Sequence, residues 1–198
     1  MKALGILGGS FDPIHNGHTM IAHDVYEKLD LEQVIFMPAY IAPHKIGCSF
    51  ASPLDRYKMT ELAIADVPYF CVSDVEFQKA GISYTVDTMR IIKKMFPLRD
   101  LFFIIGADSI PELETWHNID ELFSLVKFAA VYRVGYDEKI AIAKKKLGNN
   151  SKKIIMVQTP EYDISSTLIR DKVKMGQSIK GMVAPQVEKY ILQKGLYR

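Results

Sequence analysis

The chain has 198 residues, room for one α/β domain of ordinary size. A composition of 48% hydrophobic and 24% charged residues excludes a disordered tail or a collagen-like fibre, and two cysteines, Cys48 and Cys71, are too few for a disulfide scaffold. Lys+Arg 25 against Asp+Glu 23 leaves a net charge of +2, too weak an excess to mark a nucleic-acid binder but compatible with small phosphate-bearing molecules.

Short apolar runs alternate with helical patterns along nearly the whole length. Ala3–Leu7 predicts a first strand, ended by Gly8-Gly9. Ile21, Val25 and Leu29 then keep the i, i+4, i+8 spacing of one helix face. Val34–Met37 predicts the second strand, and the irregular stretch Pro38–Ser52, with Pro38, Pro43 and Gly47 as breakers, is long enough to suggest a functional loop. A helical pattern over Pro53–Ala65 and a strand over Phe70–Val75 follow. Ser83 is the expected N-cap of a helix whose face is Val86, Met89, Ile92 and Phe96.

Further strands are expected at Leu101–Ile105, Phe128–Tyr132 and Ile154–Val157, with helices at Asp137–Leu147, Ser165–Met175 and Pro185–Gln193. Such alternation builds βαβ crossovers, so the expected fold is α/β: a doubly wound, mainly parallel Rossmann-like sheet. No linker, repeat or low-complexity tract interrupts it, and a single domain over 1–198 is expected. Lys144-Lys145-Lys146 reads as a solvated helix face. Ala3–Leu7 is shorter than a secretory apolar region, and no apolar stretch approaches the length of a membrane span, so a cytoplasmic protein with reduced thiols is expected.

Polar groups concentrate where the first strand ends: Gly8-Gly9-Ser10-Phe11-Asp12-Pro13-Ile14-His15-Asn16-Gly17-His18. Parallel sheets take ligands outside the carboxyl ends of their strands. Gly8 and Gly9 lack the Cβ that would keep a bulky anion from the backbone. A helix beginning near Gly17 offers free N–H groups and the positive end of its dipole. His15 and His18, with Gly17 between them, are spaced to share one site. Three readings stand beside each other: a phosphate site, half of a zinc site completed by His23, His44 or Cys48, or two ordinary surface histidines.

The segment GGSFDPIHNGH resembles the HxGH signature of the nucleotidylyltransferase superfamily, and in particular that of the bacterial nicotinate-nucleotide adenylyltransferases. Pro43-His44-Lys45, Ser83–Thr88, Ile105–Ser109, Trp116 and Ile164–Arg170 fall in that family's order, so the resemblance covers nearly the whole chain. It implies the nucleotidylyltransferase fold and the joining of nicotinate mononucleotide to the AMP part of ATP, with release of pyrophosphate, a step in NAD biosynthesis. It implies His15, His18 and Arg170 as catalytic residues. It places Gly8, Gly9, Ser10, Phe11, Gly17, Lys45, Gly106, Asp108, Arg133, Ser165 and Thr167 around ATP. His44, Tyr84, Thr85 and Trp116 are implied around the nicotinate nucleotide.

The residue chemistry agrees with that implication. The attacking phosphate has a second pKa of about 6, so at pH 7 it is mostly dianionic and requires no general base. The needs are alignment of two polyanions and stabilisation of charge at the α-phosphorus and the leaving pyrophosphate. His15 and His18 supply hydrogen-bond donors, Ser10 a hydroxyl, and Lys45 a mobile cation. Arg170 follows Thr167 by three residues, so the two share a helix face, and free amides near Ser165 aim a second helix N-terminus at phosphate. Mg²⁺ is expected with ATP, held by phosphates and water, and no protein ligand for it is expected. The expected partners are the two small-molecule substrates, without nucleic acid or membrane, for a monomer or homodimer.

Other adenylyl acceptors, phosphopantetheine or nicotinamide mononucleotide, are the alternative, as is a module that binds nucleotide without turning it over. Class I aminoacyl-tRNA synthetases share HxGH, but Lys174-Met175-Gly176-Gln177-Ser178 breaks their second signature. In cytidylyltransferases the segment matching ISSTLIR takes another form.

Overall fold

The computed structural model describes residues 3–41, 51–79, 81–132 and 137–198, without the side chains of Lys79 and Asp137. Its strands are β1 (Leu4–Gly9), β2 (Gln33–Pro38), β3 (Phe70–Val72), β4 (Leu101–Gly106), β5 (Lys127–Tyr132) and β6 (Ile154–Gln158). Its α-helices are α1 (Asn16–Lys28), α2 (Pro53–Ile64), α3 (Val75–Lys79), α4 (Thr85–Met95), α5 (Ile119–Leu125), α6 (Asp137–Lys146), α7 (Ser166–Lys174) and α8 (Pro185–Lys194). Two 3₁₀ stretches, Ala107–Thr115 and Gly148–Lys153, complete the described elements.

The six strands form one sheet in the order β3-β2-β1-β4-β5-β6. Pairing is parallel from β1 to β4, β4 to β5 and β5 to β6, with Leu4 opposite Leu101 and Phe128 opposite Ile154. Strand order runs outward from β1 in one direction and from β4 in the other. Right-handed crossovers then put helices on both faces, and the reversal between β1 and β4 is the switch point where such sheets bind ligands. The doubly wound expectation holds.

All six predicted strands and all six predicted helices form. Phe70–Val75 is shorter than expected: β3 stops at Val72, and Val75 instead opens α3, whose first turn carries Glu76. The α5 helix and the Gly148–Lys153 stretch escaped the periodicity because each is too short to repeat an apolar face, whereas Ala107–Thr115 buries Ala107, Ile110 and Leu113 at a period of three, not 3.6.

Backbone contacts divide the chain into two compact units. One comprises Met1–Gly8, Ala22–Val34 and Tyr84–Glu161, the other Gly9–Ile21, Ile35–Ser83 and Tyr162–Arg198. In the first, Ile6, Leu101, Ile104 and Phe128 of the sheet are buried, as are Val86, Met89 and Ile92 of α4 and Phe123 of α5. In the second, α2 packs on β3 and α8, burying Met59, Ile64, Val187 and Ile191. Each such side chain contributes about 1.5–3 kcal/mol of burial.

Candidate active site

β1 delivers Gly8 and Gly9 at its carboxyl end, and both are packed by rings. A Cβ on Gly8 would lie 3.0 Å from the Phe103 ring, and one on Gly9 would lie 2.9 Å from the Phe11 ring. Both glycines thus leave room for these protein rings at the carboxyl end of β1. Phe11 has φ 49, a left-handed conformation that is uncommon for an aromatic residue, and its side chain is buried.

From Asp12 to Asn16 the segment is pinned by residues of its own unit. The Asp12 Oδ1 accepts the Tyr197 hydroxyl at 2.7 Å and the Ala51 N–H at 3.2 Å. The Asp12 carbonyl accepts Arg170 Nη1 at 2.8 Å, and the Pro13 carbonyl accepts Ser166 Oγ at 2.9 Å. Asn16 donates through its backbone to Met182 O and through Nδ2 to Gly181 O. The Arg56 guanidinium, only 2% exposed, donates to the carbonyls of Ser10 (2.7 Å), Ala39 (2.6 Å) and Tyr40 (2.8 Å).

α1 begins at Asn16, one residue before the expected start. The His15 and His18 rings stack with centroids 3.6 Å apart and planes 29° apart. The His15 backbone N–H donates to His18 Nδ1 at 3.2 Å, so a neutral His18 carries its proton on Nε2. Burial pushes the His15 pKa down to about 4 from the usual 6.5, so this imidazole is neutral at physiological pH. Its Nδ1 is buried without a hydrogen-bond partner among the described residues. Gly17 leaves room for that ring: a Cβ there would lie 3.0 Å from His15 Nδ1. The pairing of the two imidazoles, expected from their spacing, is present.

Further along the same unit, Arg170 Nη2 donates to Thr167 Oγ1 at 3.1 Å, as their shared helix face predicts. Ser165 is the N-cap of α7, and its Oγ accepts the Leu168 N–H at 3.1 Å. One amide expected to face phosphate is thereby committed to the cap. Ser83 does not cap α4: the N-cap is Tyr84, without a side-chain cap, while Ser83 Oγ accepts the Tyr40 N–H at 3.1 Å. The hydroxyl bonds a distant amide in place of the local one.

The other unit holds Gly8, Tyr84, Thr85, Gly106, Asp108 and Trp116. Gly106 ends β4, and a Cβ on it would fall on the Asp108 carboxylate, so the glycine lets that side chain fold back over the chain. The half-buried Trp116 indole meets Phe103 and Phe128 edge-on, at centroid distances of 6.1 and 6.3 Å. Tyr84 lies over His117 at 4.6 Å, a pairing the sequence did not reveal. Arg90 bridges Asp87 and Glu121, and that hydrogen bond holds the Glu121 carboxyl below its usual range. His44, Lys45 and Arg133 lie outside the described residues, as does Cys48.

Among the described residues no cluster of three or more His, Cys, Asp or Glu side chains could hold a metal, and no helix is long and apolar enough to cross a membrane. Two contributors were missed in the sequence. Arg56 had a signal, since it shares the buried face of α2 with Met59, Thr60 and Ile64. Tyr197, beyond the last helix, had none.

The cytidylyltransferase-like family model matches residues 6–172. A probable nicotinate-nucleotide adenylyltransferase of Geobacillus thermodenitrificans is 41% identical over 197 residues, covering all of this chain and 87% of that one. The nicotinate-nucleotide adenylyltransferase of Bacillus subtilis is 37% identical over all of this chain and 99% of its own. The nicotinic acid mononucleotide adenylyltransferase of Plasmodium falciparum, solved in complex with NaAD, shares the fold with a TM-score of 0.81 at 22% identity, covering 100% of this chain and 98% of that one. Likeness of this extent, carried across the HxGH segment and both ends of the chain, makes this protein a member of the cytidylyltransferase-like family and, within it, of the nicotinate-nucleotide adenylyltransferases.

Proposed function

We propose that this chain transfers the adenylyl group of ATP to nicotinate mononucleotide, giving nicotinate adenine dinucleotide and pyrophosphate in NAD biosynthesis. The observation that carries this reading is the stacked His15–His18 pair at the start of α1, in the family's HxGH segment. A phosphate oxygen of the mononucleotide attacks the α-phosphorus of ATP. The new P–O bond forms as the bond from the α-phosphorus to the bridging oxygen breaks, and pyrophosphate leaves with that electron pair. The attacking phosphate is already ionised, so no protein base takes a proton.

His18 serves as the donor to charge developing on phosphate, through Nε2. His15, kept neutral by burial, supports the His18 ring and supplies its backbone N–H to fix the tautomer. Arg170 stabilises the departing pyrophosphate with N–H groups beyond the two that hold Asp12 and Thr167. We assign Gly8, Gly9, Ser10, Phe11, Gly17, Lys45, Gly106, Asp108, Arg133, Ser165 and Thr167 to ATP. His44, Tyr84, Thr85 and Trp116 go to the nicotinate nucleotide.

The acidic residue of the HxGH segment has one carboxylate oxygen committed to Tyr197 and Ala51, which fits a Mg²⁺ carried by ATP phosphates and water rather than by a protein cage. Bound to ATP, Mg²⁺ neutralises charge on the phosphates. The same reading takes residues 1–198 as one nucleotidylyltransferase domain working in the cytoplasm on small molecules, as monomer or homodimer, with neither membrane nor nucleic acid as partner.

Pyrophosphate release tests the proposal. ATP is supplied with nicotinate mononucleotide, nicotinamide mononucleotide or phosphopantetheine in turn. The acid mononucleotide is expected to give the highest kcat/KM. Equal rates with acid and amide, or turnover only with phosphopantetheine, would refute the substrate, and no release with any acceptor would refute the enzyme.

A further inference from the structure

The stretch that follows α8 reaches back to the HxGH segment. α8 ends at Lys194, Gly195 caps it with φ 63, and Tyr197 again takes a left-handed φ of 65, a strained conformation for a tyrosine. That turn sends the phenol to Asp12 Oδ1 at 2.7 Å, across 185 residues of sequence. Asp12 is 4% exposed, and a buried carboxylate persists only when donors surround it. The phenol remains a donor at all working pH, because burial and the Asp12 carboxylate both raise its pKa. Asp12 also carries the carbonyl that Arg170 holds, and three residues later comes His15.

We propose that Tyr197 is a positioning residue for adenylyl transfer: by gripping the Asp12 carboxylate it sets the backbone on which His15 and His18 stack. This rests on the reading of the chain as an adenylyltransferase. The Tyr197 hydroxyl is committed to Asp12 Oδ1. Its effect runs through Asp12 to the His15 N–H, which fixes the His18 ring and its tautomer. Small displacements of a catalytic group lower rate far more than they lower stability.

Tyr197→Phe removes only the hydroxyl. Its kcat is expected to fall about tenfold or more, with KM for nicotinate mononucleotide within about twofold of wild type and cooperative melting retained. Histidine side-chain ¹⁵N NMR gives a readout independent of turnover. Wild-type His18 should show the Nε2–H tautomer alone, and Tyr197→Phe a mixture. A chain ending at Leu196 should behave as Tyr197→Phe does.

Wild-type kcat with an unchanged histidine spectrum would overturn the proposal. So would a lowered melting temperature in an otherwise fully active variant, or failure of both variants to fold, since either makes Tyr197 a structural residue only. Should wild type release no pyrophosphate with any acceptor, the adenylyltransferase reading fails, while the histidine spectra still decide whether Tyr197 sets the ring pair.

Discussion

The segment from Gly9 to His18 and the start of α4 both carry candidate site residues, yet they are held in opposite ways. The first is tied by Ser166, Arg170 and Tyr197, each at least 153 residues away, and Asp12 and His15 within it are buried. The second is held by Arg90 with Asp87 and Glu121, on side chains 24–41% exposed, and by the contact of Tyr84 with His117. Buried polar ties are costly to break, since the abandoned partner keeps its desolvation cost, whereas exposed ion pairs are screened and contribute little. A preorganised, buried segment suits stabilisation of developing phosphate charge. A solvated, locally built one suits recognition of a substrate group, where adjustment is tolerated. Substitutions in the first should therefore act on kcat, and those in the second on selectivity.

The largest effect is expected from His18→Ala. A donor aimed at developing charge contributes about 3 kcal/mol, so kcat should fall by about a hundredfold or more with the fold intact. Steady-state pyrophosphate release beside a melting curve checks it, and near-normal turnover in a soluble variant would remove His18 from the chemistry.

Arg170→Ala comes next. It removes a cation from the pyrophosphate and a donor from the Asp12 carbonyl, so a loss of about tenfold or more in kcat is expected together with a lowered melting temperature. Arg170→Lys should restore only part of the rate, because lysine lacks the planar fork that holds Asp12 and Thr167 at once. Full rescue by lysine would reduce its role to net charge.

Thr85→Ala sharpens the comparison from the other side. Backbone N–H groups at the start of α4, where Tyr84 provides no side-chain cap, suit a carboxylate acceptor, and Thr85 adds a hydroxyl. Wild type should prefer nicotinate mononucleotide over the amide by about tenfold or more, and the variant should narrow that ratio with kcat for the acid little changed. A collapse of kcat instead would mean that both regions act on chemistry and would erase the distinction.

The remaining expected effect is on stability and not on rate. His15 binds a proton less readily in the folded state, near pH 4, than in the unfolded chain, near 6.5. Its neutral form is therefore accommodated in full above about pH 6.5, and stability is lost as pH falls toward 4, by about 3 kcal/mol at most. Denaturant unfolding of wild type and His15→Ala across that range should show the steeper acid loss in wild type. Parallel profiles would mean that His15 is solvated and not part of a buried pair.

Much of this was open to a reading of residues alone. Strands and helices with a repeating apolar face were legible because burial on one side imposes a period of about 2 or 3.6, and the βαβ alternation then leaves few topologies. The GGSFDPIHNGH segment was legible because its glycines and histidines are adjacent in sequence. Elements of a few residues, such as α3, were not, since one turn cannot display a period.

Sequence alone thus determined the doubly wound class, the position of the histidine pair at the end of β1, and the sharing of one face by Thr167 and Arg170. All of these follow from local geometry and near-neighbour spacing. Tertiary structure decided what that geometry is used for. It set the Phe103 ring against Gly8, turned Ser83 toward Tyr40, buried Arg56 beneath three carbonyls and brought Tyr197 to Asp12. Contacts between residues tens to hundreds of positions apart leave no period and no motif. They exist only once the chain has closed on itself and each buried polar group has found the donor or acceptor it must have.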